Sequence, residues 1–352
     1  MRNVVIVWIG LGLMLIFLQI IIGGVTRLTG SGLSITKWEI VTGIIPPLDQ
    51  EDWQRAFDQY RETPQYQKIN RQFILSDFKF IYFWEYLHRL WARAMGIVFL
   101  IPFLFFLWKK WIPDQIVKRL WVVFLLAGLV GAFGWIMVAS GLVDRPWVSA
   151  YKLSIHLSLA LLVMGYLQWT LLLSRYPTEH RNIVRDRDTW LILILVCIQI
   201  FLGALMSGMK AALIYPTFPD FHGWIIPESL LQKSNWTVDN LVNYDQRSFA
   251  PAIVQFLHRL GAYVLIIMVL WTIRSKKRIW KNRGLHQSPT VLIILLVIQV
   301  SLGIMVLINS VGTIPIGTGI LHQAVGIMVL CTAINMHYFN YASDAEGRGD
   351  RF

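Results

Sequence analysis

Eight stretches of the chain stay apolar for close to 20 residues, the length at which an α-helix crosses the hydrocarbon of a bilayer. They cover 4–22, 83–107, 120–139, 153–173, 190–206, 253–273, 291–308 and 317–336. They predict an all-α integral membrane protein of eight transmembrane helices. The polar positions between them give an orientation. Segments 108–119, 174–189 and 274–290 are short and basic, with Lys109, Lys110, Lys118 and Arg119, then Arg175, Arg181, Arg185 and Arg187, then Arg274, Lys276, Lys277, Arg278, Lys281 and Arg283. Segment 140–152 holds only Arg145 and Lys152 as bases, and 309–316 has no charge. An excess of Lys and Arg marks cytoplasmic loops, so both termini are expected in the cytoplasm. Two long segments, 23–82 and 207–252, then face outward. The first carries Asp49, Glu51, Asp52 and Asp58, the pair Pro46–Pro47 and an amphipathic stretch at 53–66. That stretch predicts a short interfacial helix capping the first half.

The pattern repeats. EYLHRL at 85–90 returns as QFLHRL at 255–260, and His156 in KLSIHLSLA returns as His322 in TGILHQAVG. QIIIGG at 19–24 returns as QIFLGA at 199–204 and more loosely as QVSLGI at 299–304. Self-similarity at a fixed offset is the signature of a duplicated unit. It divides the chain into two pseudo-symmetric four-helix bundles, 1–175 and 176–352. An even number of spans per repeat gives both the same orientation, about an axis along the membrane normal.

Composition sharpens this picture in three places. Hydrophobic residues make up 56% and charged residues 15%, against about 25% charged in soluble domains. Aromatics reach 13%, with 16 Trp, which suits interfacial belts. The net charge of +12 raises nucleic acid as a partner; the placement of the bases in short linkers excludes it. The two cysteines, Cys197 and Cys331, lie inside apolar runs without CxxC spacing, so they read as small buried residues and not as a disulfide or thiolate site. The first apolar run starts at Val4 with no Arg- and Ser-rich stretch before it, which favours a bacterial cytoplasmic (inner) membrane over an organelle.

Histidine inside a span is expensive and marks function. Four occur, His88, His156, His258 and His322, each expected within about two turns of the outer end of an even-numbered helix. Two imidazoles from facing helices form a bis-axial heme site, so the four predict two hemes. A lone His would read as an interhelical hydrogen bonder; four at repeated positions do not. Zinc or copper would bring further thiolate or carboxylate ligands. His180, His222 and His286 sit in loops and His337 at an inner helix end, and these read as bland. The halves differ at one position. Glu85 precedes His88 by three residues, whereas Gln255 precedes His258. At i, i+3 the carboxylate and imidazole share a helix face. A carboxylate at a buried heme edge suits proton transfer, so the first half is expected to do chemistry; the bland reading pairs Glu85 with Arg89. Arg89 and Arg259 follow the histidines in both repeats and suit heme propionates, with interfacial snorkelling as the alternative. Gln19, Gln199 and Gln299 each precede a glycine by four residues, Gly23, Gly203 and Gly303. Helix packing explains that spacing as well as a heme site does.

GGVTRLTGSGLSITKWEIVTGIIPPLDQEDW at 23–53, followed by EYLHRLWARAMG at 85–96, resembles the heme A synthase family, in its mitochondrial and alphaproteobacterial type. The resemblance extends through PTFPDFHGWIIP, QFLHRLGAY and GILHQAVGIMVL. It implies oxidation of the C8 methyl of heme O to a formyl group, giving heme A for terminal oxidases. His88 and His156 would then flank the iron of heme O, His258 and His322 would ligate heme B, and Glu85 would be the glutamate on which activity depends. The resemblance further implies association with heme O synthase and with an electron donor; homo-oligomers are compatible with it. The cysteine pairs that some bacterial members carry in their outer loops are absent here. Two rivals are a dihemic b-type electron-transfer cytochrome, disfavoured by four histidines on one side of the membrane, and a heme carrier or assembly factor, disfavoured by the difference between Glu85 and Gln255.

Overall fold

A computed structural model of the chain describes residues 2–36, 44–143, 145–177, 186–282 and 287–341, with side chains outside 277–287 and 341. His180 and His286, Arg181, Arg185 and Arg283 of the basic linkers, and positions 37–43 of the first outer segment lie outside the described residues. The described regular structure is helical, apart from an isolated bridge between Phe221 and Trp224. In chain order the α-helices are α1 (Asn3–Leu28), α2 (Gln50–Arg61), α3 (Pro64–Lys68), α4 (Leu75–Trp108), α5 (Asp114–Gly141), α6 (Ala150–Arg175), α7 (Arg187–Gly208), α8 (Glu228–Leu231), α9 (Val238–Val242), α10 (Phe249–Asn282), α11 (Gln287–Ile308) and α12 (Ile316–Tyr341). Eight of them, α1, α4, α5, α6, α7, α10, α11 and α12, are long and apolar enough to cross a membrane.

Each helix outruns the apolar window that predicted it. The window closes at the first polar residues, but Ser, Asp and Lys continue a helix in water without difficulty. The largest difference at a helix start is α4, which begins at Leu75 and not near 83, with the Asp77 carboxylate accepting the Ile74 N–H at 3.0 Å; at a helix end it is α10, which runs to Asn282 and not 273. The early start of α4 corrects one expectation. His156 and His322 stand six residues after the first residue of their helices, within two turns, but His88 stands thirteen residues after Leu75, about 20 Å along the axis.

The chain forms two compact units, Met1–Met164 and Gly165–Phe352, with the division inside α6. In the first, α1 lies along α4. Trp8 stacks on Phe99 with ring centres 4.3 Å apart, Trp91 Nε1 donates to Leu15 O at 3.1 Å, and Thr26 Oγ1 donates to Trp84 O at 3.1 Å. Such contacts matter in a bilayer, where lipid is as apolar as leucine and interhelical hydrogen bonds are worth about 1 kcal/mol each. In the second unit α7 lies along both α10 and α12, and α11 along α12. Gln168 Nε2 donates to Cys331 O at 2.8 Å and Asn335 Oδ1 at 2.9 Å. His337 fits its bland reading as a packing residue: Thr189 Oγ1 lies 2.9 Å from its Nδ1, and Trp169 and Trp190 flank its ring.

The cap that the segment between α1 and α4 forms on the first unit is two helices where the sequence predicted one. Pro64 removes a backbone donor and disfavours helical geometry in the residue before it. The chain therefore stops α2 and restarts as α3, with Thr63 Oγ1 capping Tyr66 N at 3.3 Å. Phe57, Tyr60, Phe78 and Ile81 form a buried cluster beneath this cap, with Trp53, Tyr66 and Tyr82 around it. The cap grips the segment leaving α1. Gln65 Nε2 donates to Gly30 O at 2.8 Å, and Gly30 takes φ +71°, where a Cβ is strained. Tyr60 is fully buried, donating to Gln65 Oε1 and accepting from Asn70 Nδ2 at 2.8 Å.

Two outcomes check this packing. Phe78→Ala is expected to remove about 3–5 kcal/mol from the cap, read as faster proteolysis and hydrogen exchange across 50–70; Phe80→Ala, at an exposed position, should leave both unchanged. Burial pushes the Tyr60 phenol from its ordinary 10.0 up to about 12. A raised value favours the neutral form in the fold, so Tyr60's contribution is whole below pH 10 and is lost as pH climbs towards 12. Tyr60→Phe should remove that part of the alkaline loosening in hydrogen exchange of the cap.

Candidate functional site

Each span histidine is seated on a glycine of the helix before it. Gly23 of α1 faces His88 of α4, Gly134 of α5 faces His156 of α6, Gly203 of α7 faces His258 of α10, and Gly303 of α11 faces His322 of α12. A Cβ built on these glycines would stand 3.0, 3.1, 3.3 and 3.0 Å from the Cε1 of the facing ring. Any larger residue would displace the imidazole. Glycine also bares the carbonyl four residues earlier in its helix, since no side chain covers it. His322 Nδ1 uses this opening, donating to Gln299 O at 3.1 Å. The carbonyls of Val130 and Gln199 stand in the same place beside His156 and His258, although neither closes a hydrogen bond to Nδ1 by distance and angle.

The glutamines tie the other side of the contact. Gln19 Nε2 donates to His88 O at 3.1 Å and lies 3.2 and 3.3 Å from its ring nitrogens. Gln199 Nε2 donates to His258 O at 3.1 Å, and Gln299 Nε2 lies 3.3 Å from His322 Nε2. The Q-x-x-x-G spacing therefore belongs to the histidine sites and is not general helix packing. The sequence reading found three of the four glycines. It missed Gly134 because Val130 stands where the others have Gln; the available signal was that Gly134 and Gly303 recur at nearly the offset of His156 and His322.

The four rings fall into two pairs, one in each unit. His258 and His322 have ring centres 6.4 Å apart and planes at 73°. His88 and His156 are close enough to interact electrostatically. The donor set fits heme. A metal–imidazole bond is about 2 Å, so two rings bound on opposite sides of one iron have centres about 6 Å apart. A ring that donates from Nδ1 to a carbonyl presents Nε2 as the ligand, the usual outer-shell arrangement. Among the described residues no cluster of three or more His, Cys, Asp or Glu forms. Two imidazoles of one pair would hold the iron of a macrocycle that brings its own ring nitrogens.

Glu85 and Arg89 continue the same face of α4, and the segment after α1 meets them. Glu85 is 3% exposed. Its Oε2 accepts from Ser34 N at 2.7 Å, Ser34 Oγ at 2.7 Å and Ile35 N at 2.9 Å; its Oε1 accepts from Arg89 Nη2 at 2.6 Å. All four contacts donate to it, the complement of an ionised carboxylate. In the second unit the polarity is reversed. Gln255, fully buried, donates from Nε2 to Tyr215 O at 2.9 Å. Arg259 donates to Tyr215 O at 3.1 Å, Thr217 O at 2.8 Å and Asp220 O at 2.8 Å, with its guanidinium 4.0 Å over the Phe221 ring. The segment between α1 and α4 offers N–H and O–H groups to a carboxylate, and the segment between α7 and α10 offers carbonyls to an amide and a guanidinium.

The remaining candidates stand apart. His222 is exposed at φ +53° in the turn from Phe221 to Trp224, 5.2 Å from the Tyr215 ring. Both cysteines are free thiols; Cys331 is half-buried, but Cys197 is exposed on the surface of α7 and not buried as the sequence reading had it.

Residues 6–334 match the COX15-CtaA family, described as cytochrome oxidase assembly protein. Over 91% of this chain and 87% of the relative, it is 41% identical to the heme A synthase of Bradyrhizobium diazoefficiens. Over 93% of this chain it is 38% identical to that of Bradyrhizobium sp. strain ORS 278, covering 89% of that protein, and 38% identical to that of Flavobacterium johnsoniae, covering 94%. The chain belongs to the heme A synthase family. With its eight spans it is a multi-pass protein of the bacterial inner membrane.

Gly303→Val is expected to displace His322 and abolish low-spin bis-histidine heme at that pair in reduced-minus-oxidised spectra. Gly96→Val, where a Cβ meets nothing within 4 Å, should retain it.

Proposed function

We propose that this protein is an oxidoreductase that converts heme O to heme A, with the first unit as the substrate half and the second as the heme B half. The observation that carries this reading is the carboxylate cradle at Glu85, present at one of two otherwise matched histidine pairs. Catalysis needs chemistry where the substrate is and none where a cofactor is merely held. In this reading His88 and His156 hold the iron of heme O, and His258 and His322 hold heme B, which when bound supplies one-electron transfer. Both termini lie on the cytoplasmic side, as the basic linkers indicate. A heme O synthase supplies the substrate from the bilayer, and an electron-transfer partner serves the second half.

Taking the C8 methyl to a formyl group, RCH3 + H2O → RCHO + 4 H+ + 4 e−, is two two-electron oxidations through the alcohol; water brings the oxygen atom, the protons pass to solvent, and the electrons leave by the second half to its electron-transfer partner. Positive charge develops at that carbon as electrons leave. Glu85, 3% exposed and held by four donors, is placed to stabilise that charge, and preorganised charge in a buried site is worth most. Its four donors favour this electrostatic role over proton uptake, because a protonated carboxyl would face donors on both oxygens. Arg89 is the partner of Glu85 and donates from the same nitrogen to Ile35 O at 3.3 Å, so it fixes the carboxylate as well as lying near the substrate rim. Arg259 clamps the segment between α7 and α10 and keeps a buried Nε with no hydrogen-bond partner among the described residues, available to a propionate.

Chromatographic identification of hemes extracted from membranes, with a heme O supply co-expressed, tests the reading. The wild-type protein should yield heme A. Glu85→Ala should accumulate heme O or the alcohol, with heme A lowered about a hundredfold or more. Heme B alone, insensitive to the heme O supply, would sink the proposal in favour of an electron-transfer cytochrome.

A further inference from the structure

Glu85 stands on α4, but three of its four hydrogen bonds come from the segment that follows α1. Two of those three come from one residue. Ser34 is 2% exposed, and its amide and hydroxyl both reach Oε2. The hydroxyl has a single hydrogen. It lies 2.7 Å from Oε2 and 3.3 Å from Ile81 O, so the carboxylate receives it. A carboxylate on an unbranched stem turns freely about its last torsion. Three donors on one oxygen and one on the other remove that freedom. A carboxylate oxygen has about two acceptor sites, so Oε2 is filled. Oε1, bound by Arg89 alone among these contacts, is the oxygen left to face a substrate.

We propose that Ser34 is a positioning residue for the heme O reaction, loading Oε2 of Glu85 so that Oε1 is presented to the substrate. This rests on the reading of Glu85 given above. The segment is itself held in place to do this. Ser31 N donates to Thr26 O at 2.9 Å, Thr29 Oγ1 and Ser31 Oγ lie 2.6 Å apart, and Gln65 of the outer cap fastens Gly30. The second unit offers the contrast: Gln255 donates to the carbonyl of Tyr215, and its own Oε1 receives no donor among the described residues.

Ser34→Ala and Ser34→Thr, each in the full-length protein with a heme O supply, test the assignment beside Glu85→Gln. Three readouts are needed: heme content with its low-spin spectrum, the fraction of heme O converted, and the infrared carboxylate band that Glu85→Gln abolishes. Ser34→Ala is expected to keep both hemes, shift that band and convert about tenfold less heme O. Ser34→Thr, which keeps the hydroxyl, should hold the band and restore conversion. An unshifted band, or wild-type conversion by Ser34→Ala while Glu85→Gln is inactive, overturns the role of Ser34 alone. Full conversion by Glu85→Gln would instead overturn the reading of Glu85 and this assignment with it. Should Ser34→Ala fail to accumulate, the Thr variant decides: a wild-type band and wild-type conversion support the assignment, and a shifted band or lost conversion with both hemes held overturns it.

Discussion

An imidazole seated on a glycine of the neighbouring helix is the contact on which the rest of this molecule depends. It recurs four times, on four helix pairs, with the ring at the edge of van der Waals contact with where a Cβ would stand. The glycine does two things. It lets the helices approach until the ring fits between them, and it exposes a backbone carbonyl that is otherwise covered. In a bilayer there is no hydrophobic force to bring the helices together. Close approach and a few hydrogen bonds must do it, and the same residues that make the contact also orient the ring.

Around these matched contacts the two units are deliberately unlike. A buried carboxylate is tolerated only where donors surround it; the segment after α1 supplies two amides and a hydroxyl to Glu85, and Arg89 of α4 supplies a guanidinium. The segment after α7 turns carbonyls towards the equivalent position, and there the residue is Gln255. Side chain and loop therefore changed together. Exchanging the side chain alone leaves either a carboxylate facing carbonyls or an amide facing a guanidinium. In the proposed reading, a chemical half and a cofactor half differ in loop conformation as much as in residue 85.

Much of the site was legible because its residues recur. His88, His156, His258 and His322 are polar groups in apolar runs, and the second pair repeats the first along the sequence. Glu85 against Gln255 stood out for the same reason. The roles of Ser34 and Ile35 were not legible. One is an unremarkable serine and the other acts through its backbone N–H, and both lie about fifty positions from Glu85. Gly134 was hidden because the glutamine that signals the other three glycines is a valine at 130. The pairing of Arg89 with Glu85 was one reading open to the sequence, and the 2.6 Å contact shows it.

Hydropathy and repetition by themselves determined the eight helices, the twofold duplication and the residue types that can hold an iron. These follow from local rules: apolar length against bilayer thickness, and the expense of polarity inside it. The tertiary structure decided what each polar group faces. It set the tilt of a ring on a glycine, the oxygen of Glu85 that three donors fill, and the break between α2 and α3 that brings Gln65 to Gly30. Such choices depend on hydrogen bonds between segments far apart in the chain. Their partners are fixed by how the helices meet and not by any pattern within a single segment.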